Sequence, residues 1–380
     1  MSERIRVLVV DDSALMRKLI PAILERDPSI EVVGTAMDGT FALKKIEEFH
    51  PDVITLDLEM PRMDGLEALR LIMRRAPMPV IVFSTHSKEG AYSTFKALAL
   101  GAIDFVAKPR DAAAGHLEAI AVELIDKIKV AKRASGRKIR ASVEVETTSP
   151  QKKPIRPTLQ PSRIVAIGIS TGGPNALQYV LSQIPADFAA TILIVQHMPE
   201  GFTEMFARRL DECCALDVHE ARSGDLLIAG RVLICPGNRH MVVRRMPRGD
   251  MAVLSDGPPV NGHRPSADVL FHSVAREFTL TSIGVLMTGM GDDGAEGLGV
   301  IKAAGGMTVA QSEDTCVVSG MPRAAIIKGY ANKIVPLESM SAFLVGLCGT
   351  DRDHPDKVEK KDKIEKNEKS DRTQVSSHRT

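Results

Sequence analysis

Along residues 5–132, short apolar runs alternate with longer stretches of helical periodicity. The runs RVLVV, EVVGTA, DVITLDL, PVIVFS and AIDFVAK have strand length and are rich in Val and Ile. Between them lie segments such as ALMRKLIPAILERD, in which apolar residues recur at helical spacing. Five such alternations predict a parallel sheet covered by helices on both faces. From about Ala134 to Arg163 the periodicity stops, and scattered Pro, Ser and basic residues mark a linker. It resumes from Ile164 to Gly349, where RIVAIGIS, TILIVQ, RVLICP and SIGVLMTG alternate with helix-like PNALQYVLSQI and SADVLFHSVAREF. A second layered α/β sheet is expected there. The predicted division is a folded unit over 1–125, a helix end and flexible linker over 126–162, a second unit over 163–349, and a charged, disordered tail over 350–380.

Composition narrows the function. Basic and acidic residues number 49 and 48, a net charge of +1, so the whole molecule lacks the positive field that nucleic-acid binders use. The second unit offers no clear helix-turn-helix pattern beside its strands, and no nucleic-acid partner is expected. Of the five cysteines, Cys213 and Cys214 are adjacent, while Cys235, Cys316 and Cys348 lie far apart. They form neither a CxxC pair nor an even disulfide framework and read as buried thiols of a reducing compartment. The N-terminus MSERIRVLVVDD has no apolar signal core, and no run approaches the roughly 18 apolar residues of a spanning helix. A cytoplasmic protein without membrane insertion is expected.

In the first unit, Asp11 and Asp12 end strand one, Asp57 ends strand three, Ser84 ends strand four and Lys108 follows strand five. The C-terminal strand ends of a parallel sheet share one edge, so these residues converge. Three neighbouring carboxylates repel one another, and a hard cation such as Mg²⁺ would relieve the repulsion while leaving room for a phosphate oxygen. Asp57 would then attack a phosphoryl donor, with Lys108 and the Ser84 hydroxyl holding the transferred group. Helix capping is the competing reading; it serves for Asp12 alone and fails for the full set. With VVDDS, LDLEMPRMDGLE, FSTHS and AIDFVAKP at its strand ends, this unit resembles a response-regulator receiver domain. The resemblance implies a flavodoxin-like (βα)5 fold, Asp57 as phosphoacceptor with Lys108 as its partner, and a histidine kinase as donor. It further implies Asp12, Asp57 and the Glu59 backbone carbonyl as metal ligands, Asp11 in the acidic shell, Phe105 as an aromatic switch and a cis Lys108–Pro109 peptide.

In the second unit, GISTG (residues 168–172) satisfies G-x-S-x-G between a strand and a helix. That context suits a nucleophile elbow at Ser170, and equally a phosphate cradle lined by Gly168, Gly172 and Gly173 at a helix N-terminus. A serine needs a base, and His197 follows the next strand and so reaches the same sheet edge. His219, His240, His263 and His272 are further candidates, of which His240 and His272 fall inside strand and helix patterns. For the orienting acid, VLMTGMGDDGAEGL ends a strand in a glycine-rich turn with Asp292 and Asp293, where one acid is able to cap a helix and the other to face the imidazole. Backbone N–H groups near Met290 and at Thr171 are candidates for an oxyanion hole.

The order Ser170, His197, Asp293 differs from that of the common α/β-hydrolases. Instead, IGISTGGP, VQHMP, GFTEMFARRL, CPGNRHM, RPSADVLFHSVA, MTGMGDDGAEGL and CVVSGMPRAAI together resemble the catalytic domain of chemotaxis protein-glutamate methylesterases over residues 163–349. That resemblance implies a doubly wound, mostly parallel domain with Ser170 as nucleophile, His197 as general base and acid, Asp293 as orienting carboxylate, and no metal. It implies phosphorylation-activated hydrolysis of glutamyl methyl esters on methyl-accepting chemotaxis receptors, with methanol release, and deamidation of receptor glutamines. The family's usual Asn is replaced here by Asp292, which adds a charge near the triad. A methylated signalling protein outside chemotaxis is the alternative substrate, because a triad specifies acyl transfer and not its partner.

Overall fold

The computed structural model describes residues 4–85, 87–108, 114–133 and 161–350. Residues 134–160 of the expected linker, 351–380 of the expected tail and the Lys108–Pro109 peptide fall outside the described residues.

In the first unit, β1 (Ile5–Val10), α1 (Met16–Leu24), β2 (Ile30–Ala36), α2 (Gly39–Phe49), β3 (Val53–Asp57), α3 (Gly65–Arg75), β4 (Val80–Ser84), α4 (Lys88–Ala99), β5 (Asp104–Ala107) and α5 (Ala114–Arg133) alternate along the chain. The strands form one parallel sheet in the order β2-β1-β3-β4-β5. Strands β3 and β4 are buried throughout, which is why they read as continuous apolar runs. Helix starts are set locally. Asp38, Asp64 and Ser87 accept the N–H groups of Phe41, Glu67 and Gly90 at the N-termini of α2, α3 and α4, caps typically worth about 1 kcal/mol each. The strand order reverses between β1 and β3, opening a crevice at the C-terminal edge where Asp11, Asp12 and Asp57 stand.

The second unit contains β6 (Arg163–Ile169), α6 (Gly173–Leu181), β7 (Ala190–Gln196), α7 (Phe202–Cys213), β8 (Asp217–Glu220), β9 (Arg231–Ile234), β10 (His240–Arg244), β11 (Met251–Ser255), α8 (Ala267–Phe278), β12 (Ser282–Leu286), α9 (Ala295–Ala303), β13 (Met307–Gln311), α10 (Gly320–Ile327), β14 (Lys333–Val335) and α11 (Leu337–Cys348). Its seven-stranded sheet runs β14-β13-β12-β6-β7-β9-β8 with all neighbours parallel, and β10 and β11 form a separate antiparallel hairpin. Successive residues of β6 enter opposite cores, Ile164 and Ala166 on one face and Val165 and Ile167 on the other, so helices cover both faces. The sequence reading left out β8 and β14, which are short edge strands, the interior strand β13, and β11, which is only partly buried; of the hairpin it recognised the strand pattern at His240.

The two units pack against each other through aromatic rings. Phe95 of α4 stacks on Phe206 of α7 with ring centroids 5.3 Å apart, and Phe105 of β5 stacks on Phe202 at 4.8 Å. The Asn175 side chain donates to the Leu98 carbonyl at 3.1 Å. One apolar cluster holds all four rings, so the core runs across the boundary.

Candidate active site

Three adjacent central strands deliver the expected catalytic residues. Ser170 follows β6, His197 follows β7, and Asp293 lies in the loop after β12. Sheet hydrogen bonding continues into these loops: Ser170 N–H donates to the Thr288 carbonyl at 2.9 Å, and His197 N–H to the Ile169 carbonyl at 3.1 Å. Gly168 lies within β6, where a Cβ would come 2.7 Å from Ala267 Cβ, so it serves helix packing and not a phosphate cradle. Gly172 adopts φ +75° with a Cβ position 2.6 Å from Val317, which accounts for glycine at that turn.

His197 Nε2 lies 2.8 Å from Asp293 Oδ2. Asp293 also accepts the Ser266 hydroxyl at 2.6 Å and the Ala267 and Asp268 N–H groups at 2.7 and 3.4 Å, so it caps α8 from outside that helix while facing the imidazole. Burial would push its carboxyl up, but the His197 bond and charge, the Ser266 hydroxyl and the Ala267 N–H hold it at about 2. An ionised Asp293 must accept, which assigns the proton to Nε2 and leaves the lone pair on Nδ1. Nδ1 is buried and has no hydrogen-bond partner among the described residues. Asp292 is exposed; its carbonyl accepts Ala295 N–H as α9 begins.

Ser170, Thr171, His197 and Met290 border a cavity of about 730 Å³. Its opposite wall comes from the first unit, through Val122, Glu123, Asp126 and Lys127 of α5. Lys127 donates to the Phe105 carbonyl at 2.5 Å and pairs with Glu123 at 2.7 Å and Asp104 at 3.4 Å. The strand that carries Phe105 is thereby tied to the cavity wall.

At the edge of the first sheet, oxygen atoms of Asp11, Asp12 and Asp57 lie within 4.8 Å of one another. Lys108 Nζ sits 2.7 Å from Asp57 Oδ2 and 3.2 Å from Asp11 Oδ2. Burial pushes the Asp57 carboxyl up to about 6, against the pull of Lys108 and with a further push from Asp11. Converging carboxylates of this kind fit a hard, oxygen-bound cation. Glu59 turns back past Asp57, its N–H donating to Oδ1 at 3.2 Å. Ser84 points elsewhere: its hydroxyl donates to the Gly90 carbonyl at 3.1 Å and accepts from Thr94 at 2.6 Å, so in this conformation it faces α4.

Residues 165–344 match the family model described as CheB methylesterase, and residues 7–119 the response regulator receiver domain. A protein-glutamate methylesterase/protein-glutamine glutaminase of Koribacter versatilis is 62% identical over 90% of this chain and 95% of its own length. This chain belongs to the protein-glutamate methylesterase/protein-glutamine glutaminase family. Two other members, from Symbiobacterium thermophilum and Anaeromyxobacter dehalogenans, are 48% and 47% identical over 89% and 90% of this chain and cover 95% and 97% of their own lengths.

The remaining histidines separate cleanly in this methylesterase family member. His219 lies on β8 beside Asp217 and Asp225; His240 is buried with both ring nitrogens engaged, by Ser266 N–H and the Pro258 carbonyl; His272 is exposed on α8. None of these three borders the cavity. His263 does, and its ring stacks on His197 with centroids 3.9 Å apart and 7° between planes. Burial, then the neighbouring His197 charge, holds its pKa at about 4, so it is neutral at pH 7. It stands on a tight turn in which Val260 and His263 exchange both backbone hydrogen bonds around Asn261 and Gly262 at φ 51° and 77°. The sequence reading missed Gln196, whose side-chain nitrogen donates to the carbonyls of both Ser170 and His197. A polar residue closing an otherwise apolar strand was the available signal.

Proposed function

We propose that this protein hydrolyses glutamyl methyl esters and deamidates glutamines on methyl-accepting chemotaxis receptors. The observation that carries the reading is the His197–Asp293 bond through Nε2, which leaves Nδ1 uncommitted on a residue that borders the same cavity as Ser170. Ser170 Oγ attacks the ester carbonyl carbon as Nδ1 takes its proton, and Asp293 stabilises the imidazolium. The oxyanion is met by the N–H groups of Thr171 and Met290, neither of which makes a backbone hydrogen bond among the described residues. Collapse expels methoxide, which leaves as methanol with the proton from Nδ1. Water, deprotonated by Nδ1, then attacks the glutamyl-serine ester, and the freed Ser170 oxygen recovers its proton. An amide follows the same path with ammonia leaving. In this structure Nδ1 and Ser170 Oγ share no hydrogen bond; such contacts commonly tighten only with substrate bound.

The receiver regulates access. Asp57 accepts a phosphoryl group from a histidine kinase, and Lys108 and Ser84 hold it once Ser84 has turned from α4. Asp12, Asp57 and the Glu59 carbonyl, with Asp11 in support, would hold Mg²⁺, whose charge would offset that of the incoming phosphoryl oxygens. In the unphosphorylated state α5 walls the cavity and Phe105 stacks on Phe202, five residues after His197. Phosphorylation moves Phe105 and weakens that packing. Five buried cysteine thiols fit a cytoplasmic site of action, and no helix among the described residues is long and apolar enough to cross a membrane.

Methanol release from methylated chemoreceptor membranes tests the reading. Wild type is expected to turn over and Ser170→Ala to lose about 10⁴-fold or more. Equal release by both would end the serine mechanism, and release by neither the substrate assignment.

A further inference from the structure

We propose that Gln196 is a positioning residue that presets an oxyanion donor by fixing the Ser170–Thr171 peptide, an inference that rests on Ser170 being the nucleophile. In a trans peptide, the C=O and the N–H that follows it point in opposite directions. Whatever holds a carbonyl therefore aims the next residue's N–H. The Ser170 carbonyl is held twice, by Gly173 N–H at 2.8 Å and by Gln196 Nε2 at 3.0 Å. Thr171 N–H consequently points away from both, and Thr171 borders the cavity. The same Gln196 nitrogen donates to the His197 carbonyl at 3.1 Å, so one amide ties the end of the nucleophile strand to that of the base strand.

The orientation of the amide is fixed chemically: both neighbours are carbonyl oxygens, so its NH₂ and not its oxygen must face them. Its Oε1 is buried with no hydrogen-bond partner among the described residues, so the amide's polar contacts are concentrated on these two carbonyls. Gly173 makes room for it, since a Cβ there would lie 2.0 Å from Oε1. The second donor is aimed by the same logic without a side chain. The Gly289 carbonyl accepts Met321 N–H at 3.0 Å, which turns Met290 N–H the other way. A Cβ on Gly289 would come 2.8 Å from Ser170 Cβ, so glycine lets this peptide approach the nucleophile. Of the two donors, the Thr171 N–H is the one whose aim depends on a replaceable side chain.

The test uses the full-length protein with Gln196→Met, which keeps length without donors, and Gln196→Glu, which keeps shape but accepts when ionised. Both should lower kcat for methanol release by about 10- to 100-fold with KM changed less than about threefold, against the 10²–10³-fold typical for deleting an oxyanion donor outright. Phosphonylation of Ser170 by an alkyl fluorophosphonate, which needs no receptor, should slow in parallel. If wild type is phosphonylated but releases no methanol, the substrate reading fails and the Gln196 variants still decide this inference. No serine-dependent labelling in wild type sinks both. Variants that label and turn over like wild type overturn the role of Gln196 alone. Should neither variant melt cooperatively, amide exchange in wild type decides: Thr171 N–H should exchange fast between slow Ser170 and Gly173, and a protected Thr171 would overturn the proposal.

Discussion

The receiver and the esterase unit place their chemistry at the same edge of the same kind of sheet, and they treat charge in opposite ways. At the receiver edge three carboxylates and one lysine share a crevice, and burial pushes Asp57 up to about 6. At the esterase edge the triad carboxylate, Asp293, accepts from His197, Ser266, Ala267 and Asp268 and is held at about 2. The first arrangement disfavours full ionisation of its carboxylates, which suits the proposed phosphoryl switch. The carboxylate of the second is satisfied before substrate arrives, which suits a charge that must not reorganise during the reaction.

Substitutions probe that contrast, beginning with the largest effect. Ser170→Ala should abolish methanol release by about 10⁴-fold or more while leaving Asp57 phosphorylation intact, a result checked by parallel turnover and phosphoprotein assays. Asp293→Asn removes the acceptor that sets the His197 tautomer, and kcat should fall by about 10³- to 10⁴-fold. The same variant has a pH signature. Because the folded carboxyl lies below its unfolded value of 3.8, its contribution to stability is present above pH 4 and lost as pH falls toward 2. Melting temperature should therefore fall less steeply with pH in that window for Asp293→Asn than for wild type, Asp27 and Asp217, also held at about 2, keeping the rest of the slope.

Smaller effects sharpen the comparison at its boundary. His263→Ala should lower kcat about 10-fold by freeing one face of the His197 ring, and His263→Phe should restore most of the loss. The His263 pKa is depressed in the folded state, so this residue makes stability fall as pH drops from 6.5 toward 4, by at most about 1.4 kcal/mol per pH unit. His263→Phe should remove that slope from chemical unfolding measured across the range. Phe202→Ala should raise basal turnover about 2- to 10-fold by removing one ring stack that holds the receiver over the cavity. Asp292→Asn should stay within about threefold of wild type, because Asp292 faces solvent.

Much of this was legible in the sequence because the chemistry sits in short loops at strand ends. GISTGGP, VQHMP and MTGMGDDG each follow an apolar run, and parallel topology brings such loops together. What escaped was set by partners distant in sequence. Asp293 was expected as the orienting carboxylate and faces the imidazole; that it also caps α8, which precedes it by about 26 residues, left no local trace. The Ser84 hydroxyl was expected on the acid cluster and lies on α4. Gln196 escaped because the direction of a peptide plane is fixed by nonlocal hydrogen bonds that leave no periodic trace. The packing of Phe105 on Phe202 joins two units that the periodicity could only separate.

The central claim is that the receiver's α5 closes the cavity in which Ser170 works and that phosphorylation of Asp57 opens it. The direct measurement is methanol release by full-length wild type and Asp57→Ala before and after a small phosphodonor. The account predicts that wild-type turnover rises by about 10-fold or more, the order expected when a population held closed by one to two kcal/mol is released, and that Asp57→Ala does not respond. Unchanged wild-type turnover in protein shown to carry phospho-Asp57 would contradict it.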